Sequence, residues 1–436
     1  VTKVFQTGDI PDIILKVWPE QIEDYAIDGL LLPISDYADQ MPYFNAYIEE
    51  HGLEAELDKL RLPNGKFYIL PGYQRQIQVQ QWIYRRDLFE QHGLGVPATY
   101  DELFDDLMVL KDEYPDSTPM TAIWGGAHLM AMMGAGYEIP AGWNGVRGYN
   151  EQTDRWEYAP ATDNYKAMHQ FLNRCYEAGL LDPDYLTQPD EEFYNKLLDG
   201  RGLVTVTWIT SGFGNWNATL AENGQVGGEW APLPVPESTI GVTALPAVDP
   251  FRKGLVISAA AAEKPYFEEL LAFVDWAVYS KAGRTLTAWG VEGTTFENTA
   301  DGKKFVDEIK TPKNPNGTID MTAEYGLNTL FDLVENEEYE DDKKPEEIVA
   351  FLERSLAAHE TAPMDPPLLL DENAIESTRA IEENLWTYMN DTSMAFITGE
   401  IDIDTGWDAY LQELEERGYL TLEEIWNSAW QEQAGN

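Results

Sequence analysis

The sequence predicts an α/β protein built in two lobes, and three observations carry that prediction. At 436 residues the chain exceeds the size at which one hydrophobic core usually divides. Short apolar runs bounded by Gly and Pro alternate with segments of helical period, the pattern of strands laid beside helices. A hydrophobic share of 44% with 24% charged residues is ordinary for globular cores, while 14 Trp, 23 Tyr and 16 Phe make an aromatic surplus that needs a use.

Composition also excludes several classes. Acidic residues outnumber basic ones 77 to 29, for a formal charge of −48. Such a field repels nucleic acid and anionic membrane surfaces, and disfavours an anionic ligand unless a local basic pocket overrides it. Its simplest meaning is solubility, in keeping with a salty or alkaline habitat. The single Cys175 lies in a helix-period segment, so no disulfide within the chain and no thiolate cluster forms. No run of about 18 apolar residues suggests a membrane span. The start, Val1-Thr2-Lys3-Val4-Phe5, is neither an initiator Met nor a signal peptide, and leads us to expect further sequence upstream.

Taken in order, residues 12–17 form a short apolar run after Gly8-Asp9-Ile10-Pro11, a buried parallel strand entered from a turn. Trp18 and Glu20 follow at its carboxyl end, where open α/β sheets place ligands. From 74 to 84 the even positions are Gln74, Gln76, Gln78, Gln80, Trp82 and Tyr84, while Ile77, Val79 and Ile83 fall on odd ones. Because strand side chains alternate, one face is a ladder of amides ending in aromatics. Such a face is either a solvent edge or a cleft wall whose amides donate to and accept from sugar hydroxyls.

Residues 86–93 begin a helix, and Thr99 with Glu102 is a capping box for the next. Residues 119–124 are expected as a strand, and the alternation of elements indicates a mostly parallel sheet. The stretch 124–143 is rich in Gly, Met and aromatics, and carries Trp124, Tyr137 and Trp143. It has the composition of a binding loop, although Met130, Met132 and Met133 equally suit a core. A helix over 164–179 closes at Gly179. Residues 203–208 form a strand delivering Trp208 at its carboxyl end, and 255–258 another returning to the first lobe. An apolar helix over 266–279 leads to Trp289-Gly290-Val291-Glu292-Gly293. That loop is either a glycine-rich turn around a buried Trp or a sugar site, in which an indole face stacks and a carboxylate accepts hydroxyls. Beyond residue 321 the chain is largely helical and acidic, with a solvated loop over 335–342.

Seven landmarks occur in order: Gly8-Asp9-Ile10-Pro11-Asp12-Ile13, Tyr84-Arg85-Arg86-Asp87-Leu88-Phe89, Pro97-Ala98-Thr99-Tyr100-Asp101-Glu102-Leu103, Gly200-Arg201-Gly202, Ala272-Phe273-Val274-Asp275-Trp276, Trp289-Gly290-Val291-Glu292-Gly293 and Phe396-Ile397-Thr398-Gly399-Glu400. Together they resemble the extracellular solute-binding proteins of family 1, the ligand-capture subunits of ABC importers for oligosaccharides. The likeness is to the large Gram-positive lipoprotein branch related to the alginate-oligosaccharide binders. It implies the type II periplasmic-binding-protein fold, two discontinuous lobes with a hinge and an interlobe cleft. The lobes are expected at 1–119 with 258–330, and at 120–257 with 331–436. The resemblance places Trp18, Glu20, Gln76, Gln78, Gln80, Trp208, Trp289 and Glu292 in the ligand site, to which the 124–143 loop adds Trp124 and Trp143. It further implies a monomer, permease subunits as partners, no nucleic acid, and a cell-surface address with a lipid anchor outside this sequence.

Two departures stand out. Only seven residues precede Gly8, so the first strand-helix unit of lobe one is expected to be missing from this chain. The alginate binders resemble calcium proteins with an Asx-rich loop, whereas Tyr149-Asn150-Glu151-Gln152-Thr153-Asp154 lacks the acidic ladder such a loop needs. Asp402, Asp404 and Asp408 are the other acidic candidates; the expectation is no cofactor, with a structural calcium as the alternative.

The rival activity is a glycoside hydrolase, which also lines a cleft with Trp and needs two carboxylates about 5–10 Å apart. In so acidic a chain, paired carboxylates carry little information. Other catalytic signals are absent: His51, His92, His128, His169 and His359 form no His-x-x-x-His pair, and no Gly-x-Ser-x-Gly elbow occurs. His128 and His169 read as structural. No catalytic residue is expected.

Overall fold

In the computed structural model, residues 4–5, 10–75, 78–209, 213–300, 302–311, 314, 317–327, 331, 333–343, 346–358, 360–362 and 364–434 are described. The chain divides into two units, residues 1–76 with 248–345, and residues 77–247 with 346–436.

The first unit is organised by the strand Phe251–Ile257, which lies between Ile13–Val17 and Ile69–Tyr73. Both pairings are antiparallel. Side chains alternate across the sheet, so Leu255 and Ile257 join one core with Phe44, Val274 and Tyr279. Val256 enters another with Ile14, Val17 and Ile22. The helices Pro42–His51 and Phe267–Tyr279 cover the first of these faces. They are tied by Asp275, whose carboxylate accepts from the backbone N–H groups of Tyr43 and Phe44 at 3.1 and 2.7 Å. The acid in that landmark thus satisfies the orphan donors of a helix N-terminus.

The second unit is built on Gln80–Arg85, the central strand between Val204–Trp208 and Trp230–Leu233, again antiparallel on both sides. Trp82 and Tyr84 enter the large core with Tyr100, Leu107, Phe171 and Phe396. Ile83 packs on the opposite face with Phe193, Trp230 and Phe351. Thr99 caps the helix as expected, its Oγ1 accepting from Glu102 N at 3.1 Å, but the reciprocal half of the box does not close, because Glu102 Oε2 accepts from Ala98 N at 2.7 Å, one residue before the cap. The helices Glu372–Thr398, Ile403–Arg417 and Tyr419–Ala434 complete the unit.

Several expectations change. Among the described residues, parallel pairing is confined to a two-residue ladder and isolated bridges, so the sheets are antiparallel rather than mostly parallel. Residues 119–124 form no strand; Met120 makes only single bridges to Leu181 and Val204. The unit boundary falls at 76/77 instead of 119/120, because Gln80–Arg85 finds both of its partner strands later in the second unit. Phe251–Ile257 is the central strand of the first unit, as the expected return at 255–258 has it, but the crossing falls at 247/248 instead of 257/258, and residues 331–345 belong to the first unit too. The acidic run 335–342 is not a bare loop. Residues Glu337–Lys343 are helical, Glu335 pairs with Arg75 at 2.8 Å and Glu338 with Lys303 at 2.5 Å.

Candidate functional site

In the second unit, a polar network holds the segment leading to Trp124. Lys196 Nζ lies 2.8 Å from Asp182 Oδ2 in a pair that is almost wholly buried. Thr121 Oγ1 donates to the same carboxylate at 2.7 Å. Gln188 Nε2 donates to Thr121 Oγ1 at 3.0 Å and to the Ala122 carbonyl at 2.6 Å. Breaking one partner of such a buried pair leaves an uncompensated charge, so the anchor is stiff.

From this anchor the backbone turns through Trp124 at φ 54° and Gly125 at 64°. A left-handed conformation is costly for a bulky residue and is held only when its surroundings over-determine it. Here the turn lifts the indole outward: Trp124 keeps 44% of its surface exposed. The helix Ala127–Gly136 follows, and the chain returns to it at Gly142. A Cβ there would fall 2.0 Å from the Ala127 carbonyl oxygen, so only glycine permits this approach. It sets Trp143, 41% exposed, against the first helical turn. The ring centroids of Trp124 and Trp143 are 5.5 Å apart.

Trp208, at the end of its strand, completes the group at 5.7 Å from Trp124 and 6.0 Å from Trp143. The residue paired with it is Gln80, so the Gln80 side chain stands on the same face of the ladder. Among the indoles lies His128, 1% exposed, with ring centroids 4.4 Å from Trp143, 4.7 Å from Trp208 and 5.9 Å from Trp124. Neither of its ring nitrogens has a hydrogen-bond partner in the protein. Burial pushes its pKa down to about 4, so the imidazole is neutral near pH 7. A buried polar group left unsatisfied costs about 1–3 kcal/mol.

The structure thus brings together Gln80, Trp124, Trp143 and Trp208 of the expected site residues. His128, read from the sequence as structural, joins them; its placement four residues after Trp124 at the start of a helix was the available signal. Gln78 does not join. It is buried, with its carbonyl oxygen accepting from Gln80 N at 3.0 Å and its amide donating to the Pro246 carbonyl at 3.4 Å. The amide face is not a solvent edge, because the strand is central and its aromatic end is core; of its described members near the platform, Gln78 is spent inside the protein while Gln80 is partly exposed beside Trp208. Gln76 lies outside the described residues, as does the Glu20 side chain.

In the first unit, Trp18 is 42% exposed, with the Lys253 ammonium 5.0 Å from its ring centroid. Trp289 overturns its stacking assignment. It is fully buried, its ring stacked on Phe305 at 4.6 Å and met edge-on by Tyr339 at 5.7 Å. Of the two readings of that loop, the turn around a buried Trp holds, while Glu292 beside it is exposed.

Two of the acidic candidates for a metal, Asp154 and Asp402, make local contacts. Asp154 accepts from the Tyr149 hydroxyl and from Trp430 Nε1. Asp402 caps the helix Ile403–Arg417, accepting from Thr405 N at 2.8 Å. Among the described residues, no group of three or more His, Cys, Asp or Glu side chains is placed to hold a metal ion.

A folded α/β chain in two units, each assembled from separate stretches, with clustered exposed tryptophans, has the makings of a capture protein. The chain belongs to the bacterial extracellular solute-binding proteins, whose family profile matches residues 1–284. It is similar to the fructooligosaccharide ABC transporter substrate-binding protein FusA of Streptococcus pneumoniae serotype 4, at 24% identity over 225 residues. That match spans 46% of this chain and only 40% of the relative's length.

Among solved structures, the alginate-binding protein AlgQ2 without calcium superposes with a TM-score of 0.81 at 19% identity, over 99% of this chain and 88% of that one. FusA of S. pneumoniae in complex with kestose gives 0.74 at 20% identity, over 100% and 90%. An extracellular solute-binding protein from Bifidobacterium longum subsp. infantis gives 0.73 at 16% identity, over 99% and 88%. The fold is therefore that of the solute-binding proteins. Among the described residues, no helix is long and apolar enough to cross a membrane.

Proposed function

We propose that this protein is the ligand-capture subunit of a carbohydrate ABC importer and that it binds a neutral oligosaccharide. The observation that carries the reading is the platform of Trp124, Trp143 and Trp208, with two of the three indoles more than two-fifths exposed. Indole faces suit the apolar faces of pyranose or furanose rings, and Gln80 both donates and accepts for ring hydroxyls. Trp18, on the first unit, is a further aromatic face. The formal charge of −48 and the uncharged platform favour a neutral ligand over an anionic one.

The named relatives capture fructooligosaccharide, alginate and kestose, which supports an oligosaccharide here without choosing among them. Membrane permease subunits are the partners this role requires. The protein acts as a monomer and without a cofactor, since capture needs binding alone. The landmarks shared with the lipoprotein branch support a lipid-anchored address at the cell surface. No chemistry on the sugar is assigned.

Calorimetric titration with kestose, maltotriose, cellotriose and an alginate trisaccharide, with reducing ends assayed in parallel, tests the reading. Saturable heat at one site per chain with a neutral sugar, without new reducing ends, is expected, and tightest binding of the anionic alginate trisaccharide would overturn the neutral-ligand assignment. Release of new reducing ends would support a glycoside hydrolase instead, and absence of heat with every sugar would remove the oligosaccharide assignment.

A further inference from the structure

The histidines of this chain are not treated alike. His169 is fully buried, and both of its nitrogens are used, one with the Tyr165 carbonyl at 2.9 Å and the other with Ser393 Oγ at 2.7 Å. His51 meets the Tyr47 carbonyl and His92 the Tyr114 hydroxyl. His128 alone among the described histidines has neither nitrogen paired.

If stacking were its only duty, Phe would fill the same place without two polar atoms to desolvate. The backbone around it is also unusually fixed. Trp124 precedes it on a left-handed turn, and the Gly142 approach closes on Ala127, its immediate neighbour. A polar ring held under exposed aromatics, with unspent hydrogen-bonding capacity, is suited to a hydroxylated ligand.

We propose that His128 is the polar contact of the tryptophan platform: when a neutral oligosaccharide lies across Trp124 and Trp143, an imidazole nitrogen of His128 hydrogen-bonds a sugar hydroxyl, directly or through one bridging water. The proposal rests on the oligosaccharide reading above and adds to it the group that senses hydroxyl position. At 1% exposure, His128 is reached when one of the two exposed indoles swings aside. Its neutral ring offers one N–H donor and one acceptor nitrogen, matching the dual character of a hydroxyl. A sugar lacking that hydroxyl would leave the imidazole unpaired, so the residue discriminates among ligands that stack equally well.

The test compares the parent with His128→Phe, using whichever of the neutral sugars kestose, maltotriose and cellotriose titrates most tightly. His128→Phe is expected to keep or raise the melting temperature, because an orphan polar group leaves the core. Binding is expected to weaken at least tenfold, about 1.4 kcal/mol. In ¹⁵N-histidine spectra of the parent, that sugar should shift the His128 nitrogens and leave those of His169 in place.

Unchanged affinity in folded His128→Phe, or unshifted His128 nitrogens in the parent, would overturn the proposal. Should His128→Phe fail to fold, the parent spectra decide. Failure of the platform itself looks different. If Trp124→Ala and Trp143→Ala both bind as the parent does, the platform reading falls and the histidine proposal with it. If both lose affinity while His128→Phe does not, only the histidine proposal falls.

Discussion

Trp124 and Trp289 are each followed by a glycine of positive φ, 64° at Gly125 and 83° at Gly290, yet the first indole keeps 44% of its surface and the second keeps none. The local sequences are alike; their surroundings are not. Trp289 ends the helix Lys281–Trp289, and later chain closes over it through Phe296, Phe305, Met321 and Tyr339. Trp124 precedes its helix and itself adopts φ 54°, which turns the indole away from the core that the following helix enters through Leu129, Met132 and Met133. A Trp-Gly pair therefore does not define a sugar site. What the chain folds over the ring afterwards decides whether the ring is core or platform.

The largest expected effect tests the buried half of that contrast. Trp289→Ala should lower unfolding free energy by about 3–5 kcal/mol, the usual cost of emptying a filled aromatic site. Denaturant melts would read the loss, and sugar affinity of the folded protein should stay at the parent value. A fall in affinity with stability retained would return Trp289 to the binding site and break the comparison.

Next in size is an effect of pH at the platform. The folded pKa of His128 is pushed down to about 4 by burial, below its ordinary value near 6.5. Between those values the unfolded chain takes up a proton that the folded protein refuses. Titration of this group thus leaves stability unchanged above pH 6.5 and lowers it as pH falls from there through about 4, by roughly 3 kcal/mol at most. His128→Phe should flatten the stability curve over this window relative to the parent. Equal slopes in the two proteins would mean that the imidazole is not desolvated among the indoles.

Legibility in the sequence followed the range of the interactions. The Thr99 and Glu102 cap, the helix ending near Gly179 and the strand delivering Trp208 depend on neighbours a few residues away, and each is found. Pairing depends on distant chain: Gln80 meets Trp208 and Arg85 meets Trp230, across more than a hundred residues that periodicity cannot bridge. The boundary at 76/77, the antiparallel sheets and the burial of Trp289 all fall in that class. At the site, Trp124, Trp143 and Trp208 stood out by residue type. His128 did not, because what marks it is the absence of partners, visible only once the packing is known.

A third prediction concerns the exposed half. Trp124→Ala should leave stability within about 1 kcal/mol, since little of the ring is core, and weaken sugar binding roughly ten- to hundredfold, as removal of a contact aromatic commonly does. Quenching of intrinsic fluorescence on titration would measure it. Opposite outcomes for Trp124→Ala and Trp289→Ala, one in affinity and the other in stability, would establish the contrast in solution.

The smallest effect repeats the contrast within one strand. Gln78 and Gln80 share a residue type and, by period, a face, but Gln78 is spent on Gln80 N and the Pro246 carbonyl, whereas Gln80 stands partly exposed beside Trp208. Gln78→Ala removes the acceptor for a strand N–H and should cost about 1 kcal/mol of stability. Gln80→Ala should leave stability within about 0.5 kcal/mol. Losing one neutral hydrogen bond to a sugar hydroxyl, worth about 0.5–1.5 kcal/mol, should weaken binding about two- to tenfold. Because Gln78 holds the Gln80 backbone, the double variant should lose less affinity than the two single losses summed. Strict additivity would mean that Gln78 does nothing to position Gln80, and the amide pair would then be two independent residues that share only a strand.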